Sequence, residues 1–220
     1  MTHMTASIKQ ILTDAASSKS DDIWLVTPET EKSFSWQDTQ KRAETIACYL
    51  QGARLSKGAS VAIAAPNGAA ASFAFLGVVY GGFRATPLNL VAGVKTLSFV
   101  LSHSKTELIL CADDSRDLVD EAIAGLVESG EKVPQIISMD VDDGPRWTDA
   151  NITPIKPFDL DNPSADTIGL LMYTSGTTGV PKGVLLSHAN LIAAGTNVAV
   201  AHELTPADTS MCVLPIYHIN

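Results

Sequence analysis

Short apolar runs rich in β-branched residues alternate along the chain with stretches in which apolar positions recur every three to four residues. Ile23-Trp24-Leu25-Val26 and Ser33-Phe34-Ser35-Trp36, separated by a charged turn, predict an opening hairpin with Trp24 packed on Trp36. Ala43, Ile46, Ala47 and Leu50 then fall at helical spacing, and Gly52 marks that helix's end. Further strands are predicted at residues 61–65, 108–111, 135–139, 168–173, 184–186 and 210–214, and helices at 69–80, 94–104, 115–130 and 189–199, the last capped by Ser187. Such alternation is the pattern of an α/β fold with a mostly parallel sheet flanked by helices.

Two stretches interrupt that rhythm. Residues 140–165 are rich in Asp, Pro and Asn without a sustained period and read as a long connection, so the chain divides into a first α/β subdomain (1–165) and the start of a following one (166–220). Residues 60–83 contain no Asp, Glu, Lys or Arg, long enough to test as a membrane span, but Pro66-Asn67-Gly68 breaks them into a buried strand and helix. Pro87 and Asn89 read as turn formers.

Composition narrows the function classes. With 45% hydrophobic and 18% charged residues, the 220-residue chain folds into one or two domains around a real core. Its net charge of −9 offers no field for nucleic acid or anionic lipid. Cys48, Cys111 and Cys212 lie far apart, each among apolar residues. They read as free buried thiols of a protein kept in a reducing cytoplasm, with no zinc site and no disulfide framework. Asp140 to Gly144 resembles a calcium loop only superficially, because with Gly144 in sixth place the first and twelfth ligands would be Met139 and Ala150.

One segment carries chemistry: Tyr173-Thr174-Ser175-Gly176-Thr177-Thr178-Gly179-Val180-Pro181-Lys182-Gly183, directly after an apolar strand and before another. Four hydroxyls and three glycines in the ten residues from Thr174 to Gly183 allow sharp turns and bring donors around a polyanion, and Lys182 adds a mobile cation. The pattern is not a Walker loop, since Pro181 precedes the lysine and Gly183 follows it.

This string, with Val184-Leu185-Leu186-Ser187-His188-Ala189-Asn190 after it, resembles the signature of the adenylate-forming enzymes: acyl-CoA synthetases, peptide-synthetase adenylation domains and firefly-type luciferases. Thr86-Pro87-Leu88-Asn89 and Val213-Leu214-Pro215-Ile216-Tyr217-His218 resemble two further landmarks of that family, in order. The resemblance implies the N-terminal part of the large domain of an AMP-forming acid–CoA ligase. A carboxylic acid would be activated by ATP, with magnesium, as acyl-AMP and passed to coenzyme A. It places Thr174, Ser175, Gly176, Thr177, Thr178, Gly179 and Lys182 at the ATP phosphates and His218 at the acyl site, and it places no metal ligand in this chain. Full-length relatives continue well beyond the equivalent of Asn220, into the small C-terminal domain with its catalytic lysine. The expectation is therefore of a fragment inactive by itself, without a membrane span or nucleic-acid partner. A non-catalytic nucleotide-binding or interaction module, or a peptide-synthetase adenylation domain, would share these motifs. His188 reads as a helix-start residue, and His3, His103 and His202 as tail or surface residues.

Overall fold

A computed structural model describes residues 6–149, 151–174 and 181–218. The chain opens with α1 (Ile8–Ser18), capped by the Ser7 hydroxyl, which accepts the Gln10 N–H. The hairpin follows as β1 (Ile23–Thr27) and β2 (Lys32–Ser35), antiparallel, with Leu25 opposite Phe34 and Thr27 opposite Lys32. Trp24 and Trp36 rings meet at 6.0 Å. Trp36 is not in the strand: it is the first residue of α2 (Trp36–Gly52). The cause is a capping box, in which Ser35 Oγ accepts the Asp38 N–H and the Asp38 carboxylate accepts the Ser35 N–H.

The rest of the chain builds one seven-stranded sheet. In chain order the elements are β3 (Ser60–Ala64), α3 (Ala69–Tyr80), β4 (Arg84–Pro87), α4 (Val94–His103), β5 (Thr106–Ala112), α5 (Arg116–Glu128), β6 (Gln135–Asp140), β7 (Gly144–Pro145), β8 (Ile168–Thr174), β9 (Lys182–Ser187) and α6 (His188–Ala201). The spatial order is β7-β6-β5-β3-β4-β8-β9. The five inner strands run parallel, and β7 and β9 close the edges antiparallel. The connection around residue 165 therefore leads into a strand, β8, of the same sheet.

The centre of the sheet is buried on both faces, which is why β3 reads as an unbroken apolar run, while edge strand β9 is largely exposed. Val61 and Ile63 pack in the core shared with α2, α3 and the hairpin, while Ala62 and Ala64 face α4 and α5. The uncharged stretch 60–83 is thus a strand and a helix inside a globular core, and nine of α3's twelve residues are buried. Among the described residues no helix is long and apolar enough to cross a membrane. A Cβ on Gly77 would stand 2.5 Å from Cβ of Ile46, so this glycine lets α3 approach α2 closely.

Several expectations need correction. No strand forms at 210–214; these residues are exposed and carry no ladder. Pro87 is not a turn residue but the last of β4, opposite Ile63, where a missing N–H is harmless because Leu88 supplies the next bond to Ile63 O. Asn89 does shape a turn, accepting the Val91 N–H at 3.1 Å. Cys48 and Cys111 are buried and free as expected, but Cys212 is exposed. Residues Asp140 to Gly144 form the β6–β7 turn, in which Asp140 Oδ1 accepts the N–H of Asp142 and of Asp143, and buried Asp142 pairs with Lys32 at 2.9 Å.

Candidate active site

Because β3, β4, β5, β6 and β8 are parallel, their carboxyl ends share one edge of the sheet, the edge where open α/β folds collect ligands. β8 passes through the core as Leu170, Leu171 and Met172 and emerges at Thr174, which is exposed. β9 begins at Lys182, also exposed, and returns antiparallel, with Lys182 the register partner of Thr174. The two outer residues of the predicted phosphate segment therefore face each other across the base of a hairpin at that edge. Ser175, Gly176, Thr177, Thr178 and Gly179 lie outside the described residues. Lys182 makes no ion pair among the described residues, so its cation is not committed to a carboxylate there.

The hairpin's base is held by packing on both sides. Tyr173 is half-buried, its hydroxyl 2.8 Å from Nδ1 of His103 at the end of α4, and burial pushes its phenol above the ordinary value. A Cβ on Gly183 would come within 3.0 Å of Leu171 and 3.4 Å of the Tyr173 ring. The glycine after the lysine is thus a packing requirement of the two strands, and the segment leads into strand β9 rather than into a helix as a Walker loop would.

His188, at the first position of α6, is fully buried. Nδ1 accepts the backbone N–H of Ile8 at 3.0 Å, so the proton sits on Nε2, which has no partner among the described residues. Burial pushes its imidazole from 6.5 down to about 4. Its ring lies against Gly169, where a Cβ would be 3.2 Å away, and ties α1 to β8 and α6.

The other end of the site is built from the β3–α3 turn. Ala65, Pro66, Gly68, Ala112, Met139 and Asp140 line a cavity of about 270 Å³ at the carboxyl ends of β3, β5 and β6. Over this turn Asn67 binds the backbone of Leu214 and Ile216, which brings His218 to the same edge of the sheet. His218 is exposed, its N–H bonded to Pro215 O at 2.9 Å and its ring 4.7 Å from that of Tyr217. The structure thus joins Thr174 and Lys182 directly and sets His218 on the same edge at the β3 end, with β4 between β3 and β8. In the sequence Asn67 reads only as part of the turn that breaks residues 60–83, and Gly183 as one of the segment's three flexible glycines rather than as a packing contact. The Pro-Asn-Gly turn after a buried strand was the available signal for the first.

A sequence model for AMP-binding enzymes matches residues 12–220. The chain belongs to the AMP-binding enzyme family. Among curated members, a sulfoacetate–CoA ligase of Cupriavidus necator is 35% identical over 206 residues, covering 91% of this chain and 38% of that protein. An oxalate–CoA ligase of Arabidopsis thaliana is 29% identical, over 78% of this chain and 33% of the relative. A long-chain-fatty-acid–CoA ligase of Mycobacterium tuberculosis is 26% identical, over 88% and 37%. The chain spans between one third and two fifths of the length of these AMP-binding relatives. Its fold is that of ATP-bound MatB from Rhodopseudomonas palustris, with a TM-score of 0.79 at 24% identity over 96% of this chain and 41% of that one. An inhibitor-bound N-terminal domain from Mycobacterium tuberculosis gives 0.80 at 24% identity, over 96% and 52%.

Proposed function

We propose that this AMP-binding chain is the N-terminal part of an acid–CoA ligase that activates a carboxylic acid with ATP. In the first step the carboxylate attacks the α-phosphate, forming a mixed acyl-phosphate anhydride, acyl-AMP, and releasing pyrophosphate. In the second the thiol of coenzyme A attacks the acyl carbon and AMP leaves. The observation that carries the reading is the pairing of Thr174 with Lys182 at the carboxyl edge, which puts a cation with no ion pair among the described residues at the exit of a hydroxyl- and glycine-rich segment. As pyrophosphate departs, negative charge grows on its oxygens, and a preplaced cation stabilises that charge more than it stabilises bound ATP. The named relatives are ligases of sulfoacetate, oxalate and long-chain fatty acids, so the reading is of a reaction class.

Magnesium, which the resemblance implies, would be held by the phosphates with one or two carboxylates, and the resemblance places no metal ligand in this chain; among the described residues no group of three or more His, Cys, Asp or Glu side chains converges. The charge account in this chain therefore rests on Lys182 and the backbone and hydroxyl donors beside it. His218, on the same edge, is the candidate to hydrogen-bond the acid. By itself the chain is expected to give no acid-dependent exchange of pyrophosphate into ATP. Joined to the C-terminal part of the Cupriavidus necator relative, it is expected to gain that exchange. No gain in the joined protein would argue for a non-catalytic module instead.

A further inference from the structure

Asn67 stands in the turn between β3 and α3, and its side chain makes two hydrogen bonds to one distant stretch of backbone. Nδ2 donates to Leu214 O at 2.7 Å, and Oδ1 accepts the Ile216 N–H at 3.0 Å. A carboxamide presents one acceptor and a donor side by side, as a peptide group does, so it can hold a chain by its backbone whatever side chains that chain carries. The partners lie 147 and 149 positions away in sequence.

The turn itself does not need this side chain. Asn67 is exposed, and the cap of α3 is Gly68, with no side-chain cap bond. The Leu214–Ile216 stretch, by contrast, has little else to place it. It belongs to no helix or strand, and the other hydrogen bonds described within 205–218 are local, such as Asp208 N–H to Thr205 O and His218 N–H to Pro215 O. Ile216 packs half-buried against the main core beside these two bonds. Fixing residue 216 fixes the start of the turn that carries Tyr217 and His218. At a strand spacing of about 4.8 Å, the end of β3, where this happens, lies two strands or about 10 Å from the end of β8.

We propose that Asn67 is a positioning residue: it fastens the Leu214–Ile216 backbone to the carboxyl edge of the sheet and so sets where Tyr217 and His218 stand relative to Thr174 and Lys182. Its consequence for acid activation rests on the acid–CoA ligase reading above, whereas the clasp does not.

The clasp is tested in the 220-residue chain by amide hydrogen exchange followed by NMR. The Ile216 amide is expected to exchange about tenfold faster in Asn67→Ala than in wild type, as loss of an ordinary hydrogen bond would give. In Asn67→Asp, which keeps the acceptor, its protection is expected to persist, and amides of β3 and α3 are expected to be unchanged in both variants. Equal Ile216 exchange in wild type and Asn67→Ala overturns the proposal, as does a general acceleration through β3 and α3, which would make Asn67 a structural part of its turn. The consequence is tested in the joined protein: Asn67→Ala is expected to raise KM for the acid about tenfold with KM for ATP within about twofold, and Asn67→Asp to recover part of the loss. An unchanged acid KM overturns the positioning role. A joined protein without exchange, even with Asn67 intact, counts against the ligase reading instead, and the Ile216 amide still decides the clasp.

Discussion

The imidazole of His188 accepts the amide proton of Ile8 at 3.0 Å across 180 positions of sequence, so a helix near the start of the chain is pinned to the strand that leads into the phosphate segment. The bond requires a neutral ring, and burial enforces neutrality by holding the imidazole at about 4, below the ordinary 6.5. A histidine depressed in the fold but normal in the unfolded chain stabilises fully above the unfolded value, and that stability is lost as pH falls toward the folded one. The loss therefore runs from about pH 6.5 to about pH 4 and amounts to at most about 3 kcal/mol. Urea unfolding across this window should show wild-type stability falling, and His188→Gln, already less stable at pH 7, should fall less steeply. Parallel slopes for the two proteins would show that His188 does not carry the acid sensitivity.

Gly77 and Ile46 define how closely α3 can approach α2. With Cβ atoms placed 2.5 Å apart, Gly77→Ala cannot be accommodated unless the helices shift or Ile46 changes rotamer. The expected cost is about 1–3 kcal/mol of stability. Ile46→Ala should lose stability through its cavity, yet in the double variant the cost of Gly77→Ala should shrink, because the clashing branch is gone. Strict additivity of the two changes would mean that the approach is not limited by this pair.

The three cysteines should divide sharply by accessibility. Burial raises the Cys48 thiol and pushes the Cys111 thiol up to about 12, so neither supplies thiolate at neutral pH, while Cys212 is exposed. Titration with an aromatic disulfide reagent at pH 8 should find one fast thiol in the native protein and three in urea. Substituting Cys212→Ser should remove the fast phase; a second fast thiol would place Cys48 or Cys111 nearer the surface than its packing allows.

Much of this fold was readable because the central strands of a parallel sheet, buried on both faces, write themselves as apolar runs, as β3, β8 and the Leu108–Ala112 part of β5 do, while β6 shows the alternation of a strand nearer the edge. What escaped was whatever depends on partners distant in sequence. α1 buries only Leu12 among its own residues and is held by the ring of His188. β4 is four residues long and ends in proline, so its strand character comes from β3 and β8 on either side. Residues 210–214 carry a strand-like pattern, yet their one link to the sheet is through Asn67 rather than a ladder among the described residues. The phosphate segment was legible as chemistry because its residue types and order are themselves the signal. That Thr174 and Lys182 are register partners required the hairpin.

A direct test of the account is acid-dependent ATP–pyrophosphate exchange by the joined protein with Lys182→Ala. Removing a preplaced charge-stabilising group costs on the order of 100- to 1,000-fold in rate. The account predicts a loss of that size in exchange with the fold intact by circular dichroism; exchange within about twofold of wild type would contradict it.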